Sequence, residues 1–91
     1  MHHFNIRALE YLNGLSKYGS LRKAAKMLNV DPAAMSRMLG QLEAQVEMKV
    51  WERNNRQSYL TEAGNELLNH YRNIIRSEAA VLSQLTKLKN L

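Results

Sequence analysis

Chain-breaking residues are the scarcest feature of this sequence: one proline, Pro32, and 4 glycines interrupt 91 residues. A strand-rich fold needs a turn signal every ~8–12 residues, so this spacing argues for helices. The proline follows Asp31, an acidic residue able to accept from the free N–H groups of a helix's first turn. Proline suits the first helical position because the N–H it lacks would have no partner there. From that start Met35, Leu39, Leu42 and Val46 recur at helical spacing as a stripe to be buried. Ala33, Ser36, Arg37 and Gly40 fall on the opposite face.

Upstream, Ile6, Leu9 and Leu12, with Leu15 nearby, form a helical pattern after a cap at Asn5, and Tyr18-Gly19 ends it. Ser20 caps a second helix whose Leu21, Ala24, Ala25 and Leu28 make a narrow apolar stripe. The two alanines allow another helix to cross closely, and Asn29-Val30 makes the turn into the helix at Pro32. Two short helices around a tight turn, over about 21–40, have the proportions of a helix-turn-helix.

Downstream, Met48 to Glu52 alternates apolar and polar, the period of a strand. Arg53 to Arg56 reads as a turn and Ser58 to Leu60 as the returning strand, giving a hairpin over about 48–60. Thr61 caps a long helix with Glu62 and Glu66 near its start. Its ~29 residues would span roughly 45 Å. Leu67, Tyr71, Ile74, Val81, Leu85 and Leu88 line one side, with Glu78 interrupting. Only a partner surface of equal length would cover that stripe.

Composition bounds the function. With 0 cysteines, a disulfide scaffold, thiolate zinc sites and cysteine catalysis are excluded. A chain of this length buries only about 60–65% of its unfolded surface, too little to wall a deep substrate pocket. No stretch reaches the ~20 apolar residues of a membrane span and no secretory signal opens the chain, so a cytoplasmic protein is the plain reading. His2 and His3 are assigned no role. His70 stands apart from them, so no metal set forms. Neither a nucleophile, base and orienter set nor a glycine-rich phosphate loop is present; catalysis and cofactors are not expected.

Lys+Arg 13 against Asp+Glu 8 gives a net charge of +5, which suits a polyanionic partner. Arg22, Lys23 and Lys26 lie on the second helix away from its alanines, and no acid stands between Glu10 and Asp31. An isolated trio of cations is ordinarily a solvated face. Here Arg37, Arg53 and Arg56 keep it company, and all could share one side of the domain, where they would grip phosphate beside a major groove. Ser36 and Arg37 sit near the start of the third helix, the part that reaches base edges in helix-turn-helix proteins. Arginine can bind both acceptors of guanine, and a serine hydroxyl can donate or accept. The bland alternative leaves Ser36 exposed and idle and pairs Arg37 with an acid.

Several motifs in register resemble one family. Phe4 to Leu12, Gly19 to Ala25, Met35-Ser36-Arg37, Leu42-Glu43, Trp51-Glu52-Arg53 and Leu60 to Gly64 are similar, collinearly, to the N-terminal region of LysR-type transcriptional regulators. The resemblance implies a mainly α winged helix-turn-helix over 4–61, three helices plus a short two-stranded wing. It further implies a linker helix over 62–91 that pairs two subunits, antiparallel, through Leu67, Tyr71, Ile74, Val81, Leu85 and Leu88. By the same resemblance Ala33, Ser36 and Arg37 are base-contacting. Ser20, Arg22, Lys23, Lys26, Arg53 and Arg56 are phosphate-contacting. The expected partners are double-stranded DNA with an inverted-repeat site and a second copy of the chain, with higher oligomers open to the full-length protein. The family's C-terminal effector-binding domain is absent from these residues, so the chain is expected to be a fragment of a longer protein.

The sequence departs from the family at four places. Pro32-Ala33 stands where Gln-Pro is common, Gly40 where a basic or polar residue is frequent, Glu47 where glycine is usual, and Trp51 where Phe is common. These bear on sequence preference more than on fold. Trp51 is expected to pack in the core, and Met27, Met35, Met38 and Met48 to fill gaps. A different class of function, a helical module seated in another protein's apolar groove, would use the long helix alone. Membrane association is disfavoured because the cations are spread over several folded elements.

Overall fold

The computed structural model describes residues 3–91; His2 lies outside them. The order is α1 (Ile6–Tyr18), α2 (Leu21–Met27), α3 (Pro32–Val46), β1 (Trp51–Asn54), β2 (Gln57–Leu60) and α4 (Glu62–Lys89). Each helix starts on the residue whose side chain the sequence marks as its cap. The Asn5 carboxamide oxygen accepts from the Arg7 N–H at 2.9 Å, the Ser20 hydroxyl from Lys23 at 3.1 Å, and Asp31 from Ala34 at 3.1 Å. Gly19 closes α1 in the left-handed region, φ 80, its N–H on the Leu15 carbonyl. Glu47 closes α3 at φ 57. That conformation costs a residue with a Cβ about 1–2 kcal/mol, a physical reason for glycine to be usual there.

Leu9, Leu12 and Leu15 of α1, Ala24 and Ala25 of α2, and Met35, Leu39 and Leu42 of α3 meet in one core. Ile6 does not join them: placed at the first turn of α1, it is 49% exposed. Val46 and Leu28 pack at the edge of the core, as does Trp51. Met35 is fully buried and Met38 half-buried, but Met27 and Met48 are exposed and fill no gap.

The hairpin is displaced from its expected position. Its strands pair antiparallel, Trp51 with Leu60 through Asn54 with Gln57. Arg53 therefore lies within β1, and the turn is reduced to Asn55-Arg56, at φ 51 and 69. Positive φ at both central residues is the geometry of a two-residue loop whose twist matches its strands. Residues 48–50 do not join the strand: Met48 and Lys49 are exposed, Val50 is buried, and their backbone is tethered elsewhere. The Val50 N–H donates to Glu43 Oε2 at 2.9 Å and the Thr61 hydroxyl to the Lys49 carbonyl at 2.6 Å. Lys49 Nζ stands 3.6 Å from Glu43 Oε1.

Two bonds fix the wing to the helices. The Thr61 N–H reaches the Val50 carbonyl at 3.1 Å, and the Ser58 N–H reaches the Gly19 carbonyl at 2.8 Å. Ser58 is 8% exposed and its hydroxyl oxygen meets no hydrogen-bond partner among the described residues. An unsatisfied buried hydroxyl costs ~1–3 kcal/mol. Ser58→Ala should therefore raise stability, by about 1 kcal/mol or roughly 4–8 °C in thermal unfolding; a lowered midpoint would mean the hydroxyl is satisfied.

The first half of α4 lies along α1, with Leu67 and Leu68 buried and Tyr71 and Ile74 packed at the edge of the core. The second half projects, giving the molecule extents of 54 × 31 × 20 Å. No helix of the described residues is long and apolar enough to cross a membrane.

Candidate nucleic-acid interface

The Ser58–Gly19 bond holds β2 against the α1–α2 turn, which brings the start of α2 beside the wing. Ser20, Arg22 and Lys23 from α2, Arg53 and Arg56 from the wing, and Leu21 and Ser58 beneath them line one concavity of about 500 Å³. Its lining carries cationic side chains and no acid. The Arg53 guanidinium lies over the Trp51 ring, 5.6 Å from its centroid, which steadies a long side chain on an exposed strand. Thus five of the six residues read as phosphate-contacting come together; Lys26, exposed one turn further along α2, does not line the concavity. Ser58 was not singled out by sequence reasoning. Its place depends on a contact between segments some forty residues apart, and nothing local signals that.

On α3, Ala33, Ser36, Arg37 and Gly40 are all exposed. Arg37 makes no ion pair or side-chain hydrogen bond among the described residues, so the pairing with an acid considered above is not formed. A Cβ added at Gly40 would meet nothing within 4 Å. Gly40→Ala should accordingly gain about 1 kcal/mol from helix propensity alone, read as a higher unfolding midpoint. No gain would indicate strain that the open space does not suggest.

The apolar stripe of α4 divides in two. Leu67 is a correction: at 8% exposure it belongs to the core of its own chain, because α1 and the end of the hairpin already cover that turn. Tyr71 and Ile74 are partly covered. Val81, Leu85 and Leu88 are exposed, and so are Ile75 and Leu82, which the sequence reading passed over. Their seven-residue spacing, beside Glu78 and Leu85, is the signal that would have found them. Burial, then the carboxylates of Glu10 and Glu78, push the Tyr71 phenol above its usual range. It stays neutral well past physiological pH; the stability tied to that neutral form is lost only as strongly alkaline pH passes the raised value.

Three helices with a two-stranded wing and a long trailing helix define a winged helix-turn-helix protein. The family model of the bacterial regulatory helix-turn-helix proteins of the lysR family matches residues 6–65, and the chain belongs to that family. A probable RuBisCO transcriptional regulator of Porphyra purpurea is 35% identical over 88 residues, 97% of this chain and 28% of that protein. The full-length LysR-type regulator LysG of Corynebacterium glutamicum superposes with a TM-score of 0.85 at 28% identity, over 93% of this chain and 29% of that one. The DNA-binding domain of CbnR, in its complex with DNA, superposes with a TM-score of 0.79 at 27% identity, covering 92% of this chain and 97% of that domain. This chain thus spans somewhat over a quarter of the regulators it matches and nearly all of an isolated DNA-binding domain.

Proposed function

We propose that this chain is the N-terminal, sequence-specific DNA-binding part of a dimeric bacterial LysR-type transcriptional regulator, acting in the cytoplasm and without catalytic activity. In this reading α3 enters a major groove, where Arg37 binds a guanine through both acceptors and Ser36 and Ala33 meet neighbouring base edges. Ser20, Arg22, Lys23, Arg53 and Arg56 hold the flanking phosphates, with Lys26 further along the backbone. Two copies joined through α4 read an inverted repeat, since half-sites mirror protein symmetry. The observation that carries the proposal is the acid-free concavity in which α2 and the wing converge their cations. A helical interaction module would account for the exposed stripe of α4 but would leave those cations without a purpose.

Binding to duplex DNA should fall steeply as salt rises, because each neutralised phosphate releases counterions. Arg53→Ala should weaken binding to all sequences alike and lower the slope of log K against log salt by about 1, measured by fluorescence anisotropy. A loss confined to one sequence would contradict its phosphate role, and salt-independent binding would contradict the proposal.

A further inference from the structure

Among the described residues one buried side-chain polar atom lacks a hydrogen-bond partner, the Ser58 hydroxyl oxygen. The Ser58 N–H is spent on the Gly19 carbonyl at 2.8 Å, and the side chain stands on the inner face of β2 between the exposed Gln57 and Tyr59. More than nine-tenths of the residue is buried, and it lies in the wall of the concavity that α2 and the wing share. Arg22, Lys23, Arg53 and Arg56 line the same hollow, and none of them makes an ion pair among the described residues. Ser20 is there too; its oxygen accepts from the Lys23 N–H, which leaves its own proton free to donate. A buried hydroxyl without a partner costs free energy in the folded chain, and a group entering the hollow can relieve that cost.

We infer that the Ser58 hydroxyl donates to a non-bridging oxygen of one DNA backbone phosphate seated in the concavity beside the four cations. The inference rests on the DNA-binding reading above. It goes further by assigning a neutral residue that no reading of charge would select, and by placing one phosphate on the seam between α2 and the wing. The occupant is an anion because the lining offers cations and two hydroxyls and no carboxylate. A phosphodiester presents two non-bridging oxygens to several donors at once, and hydrogen bonds to an ionised acceptor are about twice as strong as neutral ones. The Ser58 hydroxyl is closed off in the free protein, but turning it to another staggered position gives up no hydrogen bond. Held from α2 and from β2 together, the phosphate fixes the angle of the wing to the helices. Ser58 thus lowers the stability of the free chain and strengthens the complex.

Ser58→Ala, compared with the wild type on one duplex of random sequence, separates this role from a packing role. The free variant should unfold at a higher temperature than the wild type yet bind the duplex about tenfold more weakly, the loss expected for a hydrogen bond to a charged group. An uncharged donor releases no counterion, so the slope of log K against log salt should stay at its wild-type value, unlike that of Arg53→Ala. The same concentration of duplex should raise the unfolding midpoint of the variant less than that of the wild type. Ser58→Cys keeps a side chain of similar shape but offers only a weak donor, and should bind as weakly as Ser58→Ala. Wild-type affinity in either variant would overturn the inference and leave the DNA-binding reading standing. A lowered midpoint together with weaker binding would make Ser58 a packing residue and overturn it equally. A wild type that binds no duplex at low salt would overturn both.

Discussion

Gly64→Ala is expected to be the most damaging single-methyl change in the chain. Gly64 sits in the first turn of α4, its N–H donating to the Thr61 hydroxyl at 3.1 Å. The same hydroxyl holds the Lys49 carbonyl, and the Thr61 N–H holds that of Val50. A Cβ at position 64 would collide with the Val50 carbonyl oxygen, 3.0 Å from its carbon and 3.2 Å from Leu60 Cβ. The obstacle is backbone, already fixed by hydrogen bonds and buried beside Val50, which is 0% exposed. It has no rotamer by which to give way. Overpacking ordinarily costs about 1–3 kcal/mol; relief here must move α4 off the hairpin, so about 3 kcal/mol or more is expected. Thermal unfolding should lose roughly 12 °C or more. An unchanged midpoint would show that the α4–hairpin contact is looser than its geometry indicates.

Arg37→Ala should have the largest effect on DNA binding with the least on folding. Its side chain is exposed and forms no ion pair among the described residues, so none of these must break before it binds and none is lost on truncation. A bidentate arginine–guanine contact is worth about 1–3 kcal/mol, or roughly 5–150-fold in affinity at that base pair. The variant should keep the wild-type unfolding midpoint and bind sequences altered at one base pair per half-site as well as the original. A uniform loss over every sequence would make Arg37 a phosphate ligand instead.

Legibility differed with the range of the interactions involved. The caps at Asn5, Ser20, Asp31 and Thr61 could be read directly because each acts on an N–H within a few residues. The hairpin was displaced because the apolar–polar–apolar order of Met48, Lys49 and Val50 imitates a strand, whereas the backbone there is held by the Glu43 and Thr61 side chains. Leu67 was assigned to a partner surface because periodicity identifies an apolar face without naming what covers it; α1 does so for the first half of α4. The cations of α2 and the wing were individually visible in the sequence. Their convergence was not, since it depends on the Ser58–Gly19 bond between distant segments.

The central claim is that Ser36 and Arg37, presented twice by a dimer, read base edges. Selection of bound duplexes from a random pool tests it most directly, run in parallel with the wild type and with Arg37→Ala. The wild type should enrich a dyad-symmetric consensus with a guanine at a symmetric position in each half-site, and Arg37→Ala should lose the preference there alone. Enrichment of no sequence by the wild type, or the same consensus from both proteins, would contradict it.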